Sequence, residues 1–178
     1  MYPGHWASVH PDKLAVVNSG TGEARTYREL DERSNQLAQL LFAHGLRRGD
    51  HVALFMENNV AYFDVCWAAL RSGLYITAVN RYLTAEEAGY IVDNCEARVT
   101  VSSFGLCDVA EGIPEHAQRC ERWLGLGGEM AGYEDLEKAM AAFPAEPLEE
   151  EPAGAYMLYS SGTTGRPKGI KRPLPEVS

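Results

Sequence analysis

The residues whose types could do chemistry together lie near the end of the chain, in a run rich in hydroxyl and amide donors. This run consists of Ser160, Ser161, Gly162, Thr163, Thr164, Gly165, Arg166, Pro167 and Lys168, and it follows an apolar, strand-like segment at residues 155–159. Its two glycines allow positive φ and close backbone approach, so successive amides can converge on one anion, while the hydroxyls add donors. Lys168 adds a positive charge, and Pro167 stiffens the exit from the turn. The pattern predicts a loop that binds a polyphosphate.

Two other interpretations of this run depend on its spacing and its composition. It is not a Walker A loop, because Pro167 stands where the second glycine should precede the lysine. Glycine, serine and threonine are also common in flexible hairpins and interdomain linkers, and composition alone would favour such a segment. The ordered succession of a strand, a Ser/Thr/Gly turn and then Pro167, Lys168 and Gly169 favours the phosphate loop.

Composition and charge limit the partners of the chain. Its 178 residues are 46% hydrophobic and 23% charged, as expected for one folded unit. The net charge of −9 and the pI near 5.0 are a poor match to nucleic acid or to an anionic membrane surface. An anionic ligand therefore needs a local group of cations, and the dense basic cluster contains Arg166, Lys168, Lys171 and Arg172.

Cysteine spacing and hydropathy indicate the cellular setting. The four cysteines lie far apart without a C-x-x-C pair, which predicts reduced, mostly buried thiols and neither a zinc site nor a disulfide framework. The N-terminus has no basic segment followed by an apolar one, and no apolar stretch is long enough to span a membrane. We expect a cytoplasmic protein without a transmembrane segment.

Periodicity and capping signals predict an α/β fold with a mostly parallel sheet and helices on both faces. A hairpin is expected over residues 13–25, and Thr26–Glu29 and Thr84–Glu87 are capping boxes that start helices. Further helices are predicted from about 59 to 72 and from 133 to 142, and strands at 51–55, 74–79, 98–102, 121–126 and 155–159.

The predicted organisation has three parts. Residues 1–142 form an α/β subdomain, residues 143–154 form a connector rich in proline and glutamate, and residues 155–178 supply a strand and the phosphate loop. The acidic run Glu149–Glu151 is interpreted as part of a solvated connector without a ligand.

The segment from Tyr159 to Gly169 resembles the signature loop of the acyl-adenylate-forming superfamily, which includes acyl- and aryl-CoA synthetases, adenylation domains of peptide synthetases and beetle luciferase. Residues 26–54 and 73–80 are similar to the first helix and strand and to the second βα unit of those enzymes. The resemblance is weakest between 103 and 154. It implies the N-terminal part of the large adenylate-forming domain.

The resemblance implies a ligase with two half-reactions. A small-molecule carboxylic acid attacks the α-phosphate of ATP and releases pyrophosphate, and the thiol of coenzyme A then captures the acyl-AMP. Residues 160–168 would contact the β- and γ-phosphates, and Mg²⁺ would shield their charge, but the resemblance places no catalytic residue and no metal ligand in this segment. The departure from the common pattern at Ile170–Pro173 favours a CoA ligase for fatty or similarly hydrophobic acids.

The length of the chain leads to a further expectation. Members of the superfamily run to several hundred residues, whereas this chain stops at Ser178, so we expect an N-terminal fragment that cannot turn over alone. Such a fragment could form a homodimer through the surface left by truncation. Two alternatives are a non-catalytic nucleotide-binding module and a protein-docking module, and Lys168→Ala should weaken phosphate binding only if the loop binds a nucleotide.

Overall fold

A computed structural model describes residues 2–160 and 166–176 of the chain. The strands in this part are β1 (Leu14–Val17), β2 (Ala24–Thr26), β3 (His51–Phe55), β4 (Tyr75–Ala78), β5 (Ala97–Ser103), β6 (Arg122–Leu126), β7 (Glu134–Asp135), β8 (Ala155–Ser160) and β9 (Lys168–Lys171). The helices are α1 (Pro3–Val9), α2 (Tyr27–Ala43), α3 (Ala61–Arg71), α4 (Ala85–Asn94), α5 (Cys107–Ala110) and α6 (Leu136–Ala141).

The main sheet has seven strands in the order β7-β6-β5-β3-β4-β8-β9. Every neighbouring pair is parallel except β8 and β9, which are antiparallel. Strands β1 and β2 form a separate antiparallel hairpin, as predicted. The expected mostly parallel sheet is therefore confirmed.

Helices cover both faces of this sheet because the central strands are apolar on both sides. In β3, Val52 and Leu54 pack in a core with α2, α3 and α6, whereas Ala53 and Phe55 pack in a second core with α4 and α5. All five residues of β3 are buried. In the sequence, this strand is a short apolar run in which polar and apolar residues do not alternate, as expected for a strand covered on both faces.

Both predicted capping boxes are present. The Thr26 hydroxyl accepts a hydrogen bond from the Glu29 amide at 3.2 Å, and the Glu29 carboxylate accepts one from the Thr26 amide at 2.7 Å. Thr84 and Glu87 form the same pair of bonds at the start of α4. The two Thr residues thus fix the starts of α2 and α4.

One helix boundary differs from the prediction. The helix expected from residue 133 starts at Leu136, because Glu134 and Asp135 first pair with the edge of the sheet as β7. Asp135 then caps α6 by accepting a hydrogen bond from the Lys138 amide at 3.0 Å. Pairing with β6 delays the start of the helix.

The segment from 143 to 154 has no helix or strand, and side chains of α2 hold its backbone. The Asn35 amide donates to the Ala145 carbonyl at 2.8 Å, and the Gln36 amide donates to the Phe143 carbonyl at 3.1 Å. The expectation of a solvated acidic run is wrong for Glu151, which is partly buried and is paired with an arginine.

That arginine, Arg71, is the centre of a buried polar cluster. Its side chain is 1% exposed, and its Nε donates to Glu151 at 2.6 Å. The remaining nitrogens donate to Asp31 Oδ1 at 2.9 Å, to Tyr2 Oη at 2.8 Å and to Ser34 Oγ at 2.7 Å. We call these five residues the Arg71 cluster; it joins α2, α3, the N-terminus and the segment 143–154.

All four cysteines carry free thiols, and Cys66 and Cys95 are buried. In the described ranges, every helix is too short or too polar to cross a membrane.

Candidate phosphate-binding loop

Strands β8 and β9 place the two ends of the predicted loop beside each other. Ser160, the last residue of β8, faces Lys168, the first residue of β9, and Tyr159 faces Gly169. The residues between them, Ser161, Gly162, Thr163, Thr164 and Gly165, lie outside the described part of the chain. The structure therefore shows an antiparallel hairpin that brings the two ends of the predicted loop together.

Gly169 lies at a point of close packing in this hairpin. A Cβ atom at this position would lie 2.4 Å from Met157 Cε and 3.1 Å from Tyr159 Cζ. Met157 is 8% exposed and belongs to the core that α4 and α5 cover, so it has little room to move. The glycine after Lys168 thus lets β9 lie against β8.

The tip of the hairpin is held against α4. The Arg166 guanidinium lies 4.9 Å from the centroid of the Tyr90 ring, and the Tyr90 hydroxyl donates to the Pro167 carbonyl at 3.4 Å. The Tyr159 hydroxyl donates to Asn94 Oδ1 at 2.7 Å. An open groove of about 910 Å³ runs between α4 and the Arg166–Pro167 segment.

The base of the hairpin is held by side chains at the amino ends of β3 and β4. Lys171 Nζ lies 2.9 Å from His51 Nε2 and 4.4 Å from the centroid of the Tyr75 ring. Burial, together with the charge of Lys171, lowers the pKa of His51 to about 4. A neutral imidazole can therefore accept a hydrogen bond from the Lys171 ammonium. The Tyr75 hydroxyl also donates to the Arg172 carbonyl at 2.6 Å.

The structure does not bring the basic cluster together into one site. Lys168 and Lys171 are three residues apart in a strand and therefore lie on opposite faces of β9. Arg166 turns to the Tyr90 ring instead. Lys168 is exposed and forms no hydrogen bond or ion pair with the described residues, so its charge is available to an anion.

The described residues offer no preformed metal cluster. They contain no group of three or more His, Cys, Asp or Glu side chains that could hold a metal ion. In the groove beside the hairpin, the carboxylate of Glu87 accepts from Thr84 in the capping box, and that of Asp93 accepts from the Arg119 amide at 3.0 Å.

The sequence prediction missed the residues that hold the hairpin. Tyr90, Asn94, His51 and Tyr75 lie far from the loop in sequence, and none belongs to a motif. A Tyr and an Asn four residues apart on one side of a helix are the available signal, and many surface helices have such a pair.

A parallel α/β sheet that ends in a Ser/Thr/Gly hairpin loop matches the N-terminal domain of adenylate-forming enzymes. A solved structure of the anthranilate CoA ligase AuaEII in complex with anthranoyl-AMP superposes with a TM-score of 0.83 and 25% identity, over 94% of this chain and 33% of that one. The chain belongs to the AMP-binding enzyme family, whose profile matches residues 4–173.

Curated relatives agree with this assignment. The long-chain-fatty-acid–CoA ligase FadD13 of Mycobacterium tuberculosis is 28% identical over 92% of this chain and 32% of its own length. The crotonobetaine/carnitine–CoA ligase of Citrobacter koseri is 31% identical over 92% of this chain and 34% of its own length. The chain thus spans about a third of the length of the curated relatives it matches and corresponds to an N-terminal portion.

Proposed function

We propose that this chain is the N-terminal portion of an ATP-dependent acyl-CoA synthetase and that residues 160–168 bind the β- and γ-phosphates of ATP. The observation that carries the proposal is the β8–β9 hairpin, which sets Ser160 opposite Lys168 at the two ends of the loop, with the Lys168 ammonium free of partners among the described residues. Its family and the CoA-ligase relatives support the same activity.

The chemistry explains why such a loop is needed. A free carboxylate is a poor acyl electrophile, and transfer of AMP to its oxygen creates a good leaving group. Both reactants are anionic, so donors that neutralise the phosphates lower the barrier as charge moves onto pyrophosphate. Lys168 supplies a positive charge, and Ser160 supplies a hydroxyl and a backbone amide at the other end of the loop. When bound, Mg²⁺ would add charge neutralisation, and its ligands would come from outside the described residues.

The substrates follow from the same assignment. We propose a fatty or similarly hydrophobic carboxylic acid and coenzyme A as the thiol that captures the acyl-AMP. The FadD13 relative is a long-chain-fatty-acid ligase, which supports an apolar acid. In our proposal residues 160–168 bind rather than catalyse, and the 178-residue chain does not turn over alone. Acyl-AMP made from ATP and a fatty acid by the pure chain would contradict this last point.

Calorimetric titration of the 178-residue chain with pyrophosphate and with ATP tests the loop. A charge-assisted hydrogen bond contributes about 1.5–3 kcal/mol, so Lys168→Ala should weaken binding of both ligands by about 10- to 100-fold. The matched control is Lys13→Ala, since Lys13 is also exposed but lies next to β1. Equal affinities for the Lys168→Ala and Lys13→Ala variants would refute a phosphate-binding role and favour a docking module.

A further inference from the structure

The connections of the sheet change direction between β3 and β5, its adjacent central strands. From β3 the chain passes through α3 on one face to β4, whereas from β5 it passes through α5 on the other face to β6, on the opposite side. In open α/β sheets, ligands bind in the crevice at the carboxyl ends of two such strands. This point is separated from the β8–β9 hairpin by β4.

A crevice of about 360 Å³ is present at this point, within the size range of small-ligand sites. Its lining includes Glu57 after β3, Ser103, Phe104 and Gly105 at the end of β5, and Gly127 after β6. Three strand ends therefore contribute to one concave surface, which we call the switch crevice.

Glu57 offers the switch crevice a carboxylate that can receive a ligand. Its carboxylate accepts a hydrogen bond from Ser103, whose side chain is held in place because the residue is only 2% exposed. The other two carboxylates of the crevice, Glu23 and Glu137, have arginine partners. No cation pairs with Glu57 within residues 2–160 and 166–176, so its remaining lone pairs are available to hydrogen-bond donors.

Phe104 gives the same crevice an aromatic surface. Its ring is held by the backbone of Gly128, where an added Cβ would lie 2.5 Å from the ring, yet Phe104 remains 45% exposed. Gly105 lies directly below the Glu57 carboxylate, since a Cβ there would be 2.9 Å from Glu57 Oε1. An aromatic ring beside a free carboxylate suits a ligand with a flat ring and hydroxyl donors.

We propose that the switch crevice binds a neutral ligand with vicinal hydroxyls and a flat ring, of the nucleoside class. Glu57 accepts hydrogen bonds from the diol, and Phe104 packs against the ring of the base. Because Glu23 and Glu137 are paired with Arg25 and Arg33, Glu57 is the unpaired charge of the crevice among the described residues, and it disfavours a phosphate on the ligand. The switch crevice is therefore a separate site from the phosphate loop. The loop binds a phosphate group, whereas the crevice disfavours one.

The test is a titration of the ¹⁵N-labelled 178-residue chain, followed by ¹H–¹⁵N correlation spectra. Adenosine should cause saturable shifts of the Gly105 and Gly127 amides. Both 2′,3′-dideoxyadenosine and AMP should bind at least about tenfold more weakly, because one lacks the diol and the other adds a repelled charge. Glu57→Gln should weaken adenosine binding by about tenfold, whereas Glu146→Gln, an exposed control, should leave it unchanged.

Three outcomes would overturn the proposal: no shift of the two glycines at the solubility limit of adenosine, equal affinity for the dideoxy compound, or an unaffected Glu57→Gln variant. Phe104→Ala is a second variant that keeps the carboxylate and should also weaken binding. Adenosine shifts at Lys168 instead of the glycines would reject the switch crevice and leave the phosphate loop intact. Loss of pyrophosphate binding in Lys168→Ala, with adenosine binding unchanged, would separate the two sites.

Discussion

Replacing Arg71 by alanine should destabilise the chain strongly. The guanidinium is buried and pairs with two carboxylates, those of Asp31 and Glu151, which are 21% and 22% exposed. Removing one partner of a buried ion pair costs about 3–5 kcal/mol, and the partial exposure of the carboxylates favours the lower end, about 3 kcal/mol. For a chain of this size a change of 1 kcal/mol shifts Tm by about 2–4 °C. Tm of Arg71→Ala should therefore fall by about 6–12 °C in thermal melts followed by circular dichroism.

Arg119→Ala is the matched control for this measurement. Arg119 also pairs with a carboxylate, that of Glu96 at 3.0 Å, but its side chain is 57% exposed. Exposed pairs contribute about 0–1 kcal/mol, so Tm of this variant should fall by at most about 4 °C. Urea unfolding of both variants gives the free energy directly. If Arg71→Ala loses no more stability than Arg119→Ala, the reasoning from burial is refuted.

Two further predictions concern titratable groups. Because the pKa of His51 is lowered to about 4 in the folded chain, the unfolded chain binds more protons between about pH 4 and 6.5, and His51 makes stability fall as the pH drops through this window. NMR titration of the His51 ring should show no midpoint near pH 6.5, the ordinary pKa of histidine. The His51→Phe variant should lose less stability as the pH falls through this window. A midpoint near pH 6.5 would contradict both expectations. Burial raises the pKa of the Cys66 thiol to about 12, so iodoacetamide at pH 8 should modify half-buried Cys107 well before Cys66. Comparable rates for the two native thiols by mass spectrometry would show that this burial argument fails.

Local signals were enough to predict most of the fold. The capping boxes at Thr26 and Thr84 mark helix starts, and Gly45 and Gly73, at φ values of 82° and 70°, follow the ends of α2 and α3. Such signals work because each satisfies backbone groups that a helix end leaves unpaired. The alternation of these helices with short apolar runs then predicts a parallel sheet.

Elements with only a weak local signal were missed. Helix α1 has no side-chain cap, and it packs against α2. Strand β7 has two residues and exists through its pairing with β6. In both cases the stabilising contact comes from a neighbouring element rather than from within the segment, and periodicity cannot show it. The predicted division into 1–142, 143–154 and 155–178 stays a prediction.

For the candidate site, the sequence predicts which residues form the loop but not how their side chains are directed. A run of cations suggests one binding cluster, but β9 sends Lys168 and Lys171 to opposite faces. Arg166 finds a ring on α4, 76 positions earlier in the chain, at Tyr90. The assignment of residues 161–165 to phosphate binding stays a prediction.

The β8–β9 hairpin joins the parallel sheet through two residue pairs, Tyr75–Ala155 and Ile76–Tyr156, whereas β3 and β5 pair along their length. Met157 in the middle of β8 also packs in the core that α4 and α5 cover, and the remaining attachments are side-chain contacts at the tip and base. The hairpin can therefore open as a cooperative unit while the central ladder stays closed, and its amides should exchange with solvent before those of β3. Substitutions at those contacts can adjust this opening equilibrium without altering the parallel sheet. The segment proposed to meet ATP is thus an edge of the sheet whose local stability can be tuned through a few contacts.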